Sequence, residues 1–256
     1  FFYCNPLASD GKYRFNQGLL TRGAWFDCSC CPTNLIRFLP YVPNLIYATQ
    51  TPLSGDRGAI YVNLFIANKA KIEFGSRIID IEQKTDYPWN GKVEIAVNPD
   101  KQTEFTVKIR IPSWVRNEIA EDGLYHYSNE KGSKAYSVKI NGKALGTAKA
   151  KPSQDGYVEI TRSWKKGDKI TLDFSMETRT VEANPLVTDD AGKYAVERGP
   201  IVYCSEKPLE VNASDKINYP DFLKPAQVLT FNGQTLIPYY SWSNRGASEM
   251  AVWMGN

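Results

Sequence analysis

From Ile60 onward the apolar residues of this chain recur at every second position, and that period is what most narrows the fold. Ile60, Val62, Leu64 and Ile66 alternate with Tyr61, Asn63 and Phe65; Val93, Ile95 and Val97 alternate with Glu94 and Ala96; Phe105, Val107, Ile109 and Ile111 alternate with Thr106, Lys108 and Arg110. Successive side chains on a strand point to opposite faces, so this is the signature of half-buried strands. Turn chemistry falls between the runs. Asn141-Gly142 separates Tyr136–Ile140 from Lys143–Leu145, and both residues tolerate the positive φ of a type I′ hairpin turn. Further strands are expected at Tyr157–Thr161 and Ile170–Met176 around the turn Lys165-Lys166-Gly167-Asp168. Short strands at regular spacing argue for a mainly β chain built as antiparallel sandwiches.

After Asn184-Pro185 the pattern loosens and then tightens over Lys193–Cys204, where Arg198-Gly199-Pro200 interrupts a strand. Val211–Pro225 reads as a long loop, followed by strands at Val228–Phe231, Gln234–Tyr239 and Met250–Met254. These form a second, smaller β region. The expected division is an irregular and helical strip over residues 1–48, a sandwich over 49–180, and the smaller region over 181–256.

The first segment carries the chemistry. Trp25-Phe26-Asp27-Cys28-Ser29-Cys30-Cys31-Pro32-Thr33-Asn34 holds three of the five cysteines within four positions. Pro is favoured in the first helical turn, and Leu35, Phe38, Leu39 and Val42 fall on one helical face, with Pro40 and Pro43 limiting its length. Sulfurs at a helix mouth meet unpaired N–H groups and the positive end of the dipole, which favours thiolate. Thiolate is the form that attacks carbon and the form that binds zinc.

Four readings compete for the cluster: inert buried thiols, a complete zinc site, a vicinal Cys30–Cys31 disulfide, and two sulfurs completing a metal site whose other ligands lie elsewhere, one of them also a nucleophile. Zinc normally takes four protein ligands, and the sole histidine, His126, sits in a polar stretch that reads as solvated loop. Pattern alone leaves the complete and the shared zinc site evenly balanced. Cys4 and Cys204 stand alone and read as small buried hydrophobes.

Composition excludes several partners. The formal net charge is +3 with basic and acidic residues interspersed, so no basic stripe for nucleic acid is present. No apolar run approaches the roughly 18 residues of a membrane span, and no membrane partner is expected. The chain opens at Phe1 without initiator Met or a leader, as a segment of something longer would; the compartment is therefore unreadable.

The run Trp25–Asn34, with Asn44-Leu45-Ile46-Tyr47-Ala48 and Ile60–Phe65, resembles glycoside hydrolase family 127, the β-L-arabinofuranosidase family. The likeness continues in order through Thr85–Gly91, Arg110-Ile111-Pro112-Ser113-Trp114, Asn141-Gly142, Trp164–Asp168, Glu197–Cys204 and Asn244-Arg245-Gly246. The resemblance implies an (α/α)6 catalytic barrel followed by two β-sandwich domains, with residues 1–48 as the barrel's last strip. It implies a zinc ion held by three cysteines and a glutamate, one cysteine attacking the anomeric carbon. Cys30 would be nucleophile and zinc ligand and Cys31 a pure ligand; Cys28 has no assigned role. The other ligands and the acid/base glutamate would lie upstream, in the N-terminal catalytic barrel. An arabinose-containing glycan is the implied substrate. The rival reading is a non-catalytic sandwich module with a structural or carbohydrate-binding role, which is the better description of this segment taken alone.

Of Tyr87, Trp89, Trp114, Trp164, Trp242 and Trp253, most read as core or inter-sheet packing rather than as sugar platforms, whereas Trp25 and Phe26, beside the cysteines, read equally as pocket lining or as a wall supporting the metal site. The acid pairs Asp189-Asp190 and Glu121-Asp122 read as solvated loops.

Overall fold

A computed structural model describes residues 2–51, 57–119, 123–128, 136–207 and 227–255. They gather into two compact units: Leu39–Glu118 with Lys131–Met176, and Phe1–Phe38 with Ile119–Glu130 and Glu177–Asn256. The expected loop Val211–Pro225 and the pair Glu121-Asp122 lie outside the described residues.

The middle unit is a sandwich of two sheets. One sheet has six strands in the order Lys143–Ala144, Tyr136–Ile140, Asp168–Phe174, Lys92–Pro99, Arg77–Thr85, Asn68–Phe74. The other has four, in the order Tyr157–Trp164, Thr103–Arg110, Ala59–Val62, Tyr47–Gln50. All pairs are antiparallel except Ala59–Val62 beside Thr103–Arg110. The two-residue period does what it predicts: Val93, Ile95 and Val97 from the first sheet and Phe105, Val107 and Ile109 from the second are fully buried in one core. Trp164 lies among them and donates its indole N–H to the Phe105 carbonyl at 3.0 Å, so its polar atom costs nothing to bury.

Two turns close this sandwich as the sequence predicts. Asn141 and Gly142 have φ of 50° and 81°, both positive as a type I′ turn requires, and Ile140 pairs with Lys143 across it. The Asn141 side chain then reaches out of the turn to donate to Asp168 Oδ1 at 2.8 Å and to accept from the Lys169 N–H at 2.8 Å.

The second unit rests on a branched nine-stranded sheet. Its spine is Ile201–Lys207, which pairs with Lys193–Arg198 at its start, with Gln234–Pro238 in its middle and with Glu249–Ala251 at its end. Arg198-Gly199-Pro200 is therefore more than an interruption. Arg198 pairs with Ile201, Gly199 takes φ 58°, and Gly199-Pro200 is the two-residue loop of a tight hairpin, with glycine at the first central position as type II′ geometry demands. Val181, Ala195, Cys204, Ile237, Trp242 and Met250 form this unit's core.

Among the described residues no helix is long and apolar enough to cross a membrane. The α-helix Cys30–Phe38 stops two residues before Pro40 and continues as a 3-10 helix, Leu39–Leu45, that accommodates Pro43. Its apolar stripe stays open within this chain: Leu35, Phe38 and Leu39 are 43%, 49% and 59% exposed. A helical barrel remnant as such is not evident from one short helix.

Candidate functional site

The cysteines enter the helix rather than precede it. Ser29 caps the helix, its carbonyl accepting from the Thr33 N–H at 3.0 Å and the Thr33 hydroxyl at 2.6 Å, so Cys30 and Cys31 occupy the first turn. Pro32, in the same turn, gives up an N–H that has no helical acceptor there, so its presence costs little.

All five cysteines are free, and Cys28, Cys30 and Cys31 are exposed in this chain. The reading as inert buried thiols and the vicinal disulfide therefore do not describe them. Cys204 is buried as expected, whereas Cys4 is exposed and its thiol points at the Phe15 carbonyl, 3.8 Å away.

The three sulfurs stand together. Cys28 Sγ is 3.4 Å from Cys30 Sγ, and Cys30 Sγ is 3.8 Å from Cys31 Sγ. Two sulfurs each about 2.3 Å from one zinc at a tetrahedral angle lie about 3.8 Å apart. Cys30 and Cys31 thus have the spacing of a pair of zinc ligands, and their donor type suits that ion. Among the described residues no set of three or more His, Cys, Asp or Glu side chains converges as a metal site.

The crowding reorders the acidities. The helix mouth predicts a lowered thiol at the cluster, but Cys30 is raised, because it hydrogen-bonds to Cys28 and Cys31 and their charges oppose a second one. The lowered member is Cys28, through hydrogen bonding from the Tyr3 hydroxyl and from Cys30. Tyr3 is raised in return. A dication at Cys30 and Cys31 would cancel the mutual repulsion, since charge on the metal inverts the local order.

What holds the segment was not legible from motifs. Asn16, fully buried, accepts the Tyr3 N–H at 2.9 Å and donates to the Thr21 carbonyl at 2.8 Å, cinching residues 3–21 into a loop. The Tyr3 ring meets the buried Phe26 edge-to-face at 4.7 Å, and its hydroxyl donates to the Cys28 carbonyl at 2.5 Å. Gly23 lies under Phe26 so closely that a Cβ there would stand 2.8 Å from the ring. Trp25, on the other side, is half exposed. The only sequence signal for this packing is the Trp25-Phe26 pair beside the cysteines.

His126 belongs to a strand, Tyr125–Tyr127, not a loop; it is exposed, 3.7 Å from Glu182, and far from forming a ligand set. Trp114, Trp164 and Trp242 are buried as expected.

The strand-built parts of the chain match two families of glycoside hydrolase domains. Residues 59–176 match "Beta-L-arabinofuranosidase, GH127 middle domain" and residues 178–255 match "Glycoside hydrolase family 127 C-terminal domain". The chain belongs to glycoside hydrolase family 127. It is 29% identical to the non-reducing end beta-L-arabinofuranosidase of Bifidobacterium longum subsp. longum, over 98% of this chain and 41% of that protein. A solved GH127 beta-arabinofuranosidase is 37% identical with a TM-score of 0.80, covering 100% of this chain and 42% of its own. A GH127 beta-L-arabinofuranosidase from Geobacillus stearothermophilus T6 is 30% identical with a TM-score of 0.75, again covering 100% and 42%. The chain spans about two-fifths of the length of these relatives.

Proposed function

We propose that this chain supplies the nucleophile segment and the two β domains of a zinc-dependent, retaining β-L-arabinofuranosidase, with Cys30 as nucleophile and Cys30 and Cys31 as two of the zinc ligands. The observation that supports it most directly is the exposed Cys30–Cys31 pair, 3.8 Å apart in the first turn of a helix, inside a chain of this family. The remaining ligands, the acid/base group and most of the pocket for an arabinose-containing glycan would come from an N-terminal catalytic barrel, consistent with the greater length of the relatives.

In this reading the Cys30 sulfur attacks the anomeric carbon as the bond to the departing oxygen breaks, and that oxygen takes a proton from the acid group. Water, giving a proton back to the acid group, then displaces the sulfur as the carbon–sulfur bond breaks, restoring the thiolate and the anomeric configuration. Sulfur attacks readily but leaves carbon reluctantly; bound zinc would supply a positive charge that stabilises the departing thiolate and keeps it ionised at neutral pH. Cys31 shares that charge without reacting. Without a cation Cys30 is the harder thiol to ionise, because Cys28 and Cys31 crowd it, and a bound zinc would relieve that opposition.

The test is made on the full-length protein. Cys30→Ser should lower turnover of an aryl β-L-arabinofuranoside by more than about 10³-fold, the scale on which loss of a nucleophile acts. Peptide mass spectrometry of the wild type quenched with a slow substrate should find one pentosyl residue on the Cys30 peptide. A near-normal rate in Cys30→Ser would remove Cys30 from this role, and a metal-free protein at full activity would remove the zinc.

A further inference from the structure

We propose that Arg22 is a positioning residue for the cysteine cluster, and that through it the C-terminal sheet domain is a working part of the thiol site. This rests on the reading of Cys30 as nucleophile.

The Arg22 guanidinium forks onto two backbone carbonyls of the segment 240–242. Its Nη2 donates to the Tyr240 carbonyl at 2.9 Å and to the Trp242 carbonyl at 2.9 Å, and its Nε donates to the Trp242 carbonyl at 3.0 Å. The Phe2 ring covers the cation at 4.5 Å and stacks in turn on Trp242, 5.1 Å between centroids. Few arrangements fix a side chain this fully. Planar multidentate donation combined with a ring over the guanidinium is what Arg does and Lys cannot.

The receiving backbone is itself held from behind. The Trp242–Ser243 peptide offers its carbonyl to Arg22 and its N–H to Glu206 Oε1, 3.0 Å away. Glu206, only 4% exposed, also accepts from the Ser248 hydroxyl at 2.8 Å and pairs with Arg245. The Trp242 indole donates to that same Ser248 hydroxyl at 3.1 Å. One peptide plane is thus gripped by a charge on each side, and its ring is buried in the domain core. A buried carboxylate with several donors is a rigid anchor.

On the other side of Arg22 the chain runs to the cysteines in six residues. Gly23 sits under Phe26, Phe26 meets Tyr3, and Tyr3 donates to the Cys28 carbonyl. These contacts form an unbroken path from Glu206 to the sulfurs, all within one compact unit. Cutting it at Arg22 leaves the thiols chemically intact but frees the segment that aims them. Displacement of a reacting atom by an ångström costs catalysis far more than binding.

The experiment uses the full-length protein with Arg22→Ala, Arg22→Lys and, as a control, Val196→Ala, which loosens the same domain's core without touching the clamp. Arg22→Ala should lower kcat about 10- to 100-fold with KM within about threefold of wild type, because the lost element aims a reacting group rather than holding substrate. Amide exchange, read by mass spectrometry, should speed up over residues 23–29 and stay at the wild-type rate over Ile201–Lys207. Arg22→Lys should recover part of kcat. Val196→Ala should show the opposite pattern, faster exchange in the sheet with kcat retained. Wild-type exchange over 23–29 in Arg22→Ala, or faster exchange there with unchanged kcat, would overturn the proposal. If the wild type itself fails to turn over, the reading of Cys30 falls, while the exchange measurement still decides whether Arg22 holds the segment.

Discussion

Asp168 is the carboxylate on which the closed end of the middle sandwich depends. It ends the turn Lys165-Lys166-Gly167-Asp168, is 2% exposed, and accepts from Asn141 Nδ2 at 2.8 Å and from the Lys165 N–H at 3.0 Å, with Arg162 3.5 Å away. Burial alone would raise its pKa; the Asn141 and Lys165 hydrogen bonds and the Arg162 charge outweigh this and hold the pKa below the ordinary carboxylate value. Asp168→Asn keeps the shape but leaves one acceptor oxygen, so one of the two donors faces an NH2 group instead. Hydrogen bonds to a charged partner contribute about 1.5–3 kcal/mol each, and a buried donor left unmatched adds to the loss, so the variant should be about 2–4 kcal/mol less stable at pH 7. A urea titration read by pulsed amide exchange in Lys92–Pro99, whose strand pairs with Asp168, isolates this unit. The pH dependence follows from the direction of the shift. A carboxyl depressed in the folded state stabilises fully above its unfolded pKa of about 3.9 and loses that contribution as pH falls through the folded value, so the gap to Asp168→Asn should close below about pH 4. Asn141→Ala combined with Asp168→Asn should cost less than the sum of the two singles. Asp168→Asn within 0.5 kcal/mol or so of wild type at pH 7, or a gap that widens in acid, would refute the reasoning.

Three further outcomes are expected. Gly91→Ala should destabilise the middle unit by about 3 kcal/mol or more, since the added Cβ would stand 2.0 Å from the Phe174 carbonyl oxygen, a backbone atom that cannot swing away; a loss under about 1 kcal/mol in the same titration would contradict the packing. Glu197 is raised by burial, only partly offset by the Tyr127 hydroxyl and Arg179, so its ionised form opposes folding as pH rises through the interval between its unfolded and folded values. Glu197→Gln should therefore leave thermal stability at pH 7 unchanged or higher, and a clear fall in melting temperature would count against it. Cys204 is pushed up to about 12 by burial, so iodoacetamide should label exposed Cys4, Cys28, Cys30 and Cys31 in the native chain and reach Cys204 only in denaturant, as peptide mapping would reveal.

The legible part of the fold was the part written in uninterrupted alternation. Strands around Val93–Val97, Phe105–Ile111 and Ile170–Leu172 stand out because every inward position is aliphatic or aromatic. The hairpin strands Asn68–Phe74 and Arg77–Thr85 do not stand out, though they span seven and nine residues. Their outward positions are Lys, Glu and Asp apart from the exposed Ile78, and one inward position is Gln83, a buried amide that donates to Tyr47 and the Leu64 carbonyl. A polar residue facing the core breaks the period although the strand is intact. Ala59–Val62 is shorter than the alternation Ile60–Ile66 suggests: the Asn63 N–H still donates to the Ile46 carbonyl in the register of the Tyr47–Val62 pair, and beyond it Leu64 and Ile66 belong to no strand.

For the site, the sequence exposes the cysteines and conceals what holds their segment. Three cysteines beside a proline announce themselves because no packing role explains them. Arg22 and Asn16 do not, because each acts on backbone carbonyls and N–H groups that any residue provides, and those groups lie up to 220 positions away in the chain. A side chain that binds another side chain leaves a pair of letters to find; one that binds a peptide leaves a single letter. The acidities of the cluster make the same point from chemistry. Local reasoning from the helix mouth favours thiolate, yet the structure lowers Cys28, through the Tyr3 hydroxyl first and Cys30 second, and raises Cys30, whose hydrogen bonds to Cys28 and Cys31 oppose its ionisation. A thiol 3.4 and 3.8 Å from two others meets their charge as well as the helix, so whether Cys28 or Cys30 ionises more readily is decided by folded neighbours and not by the helix mouth alone.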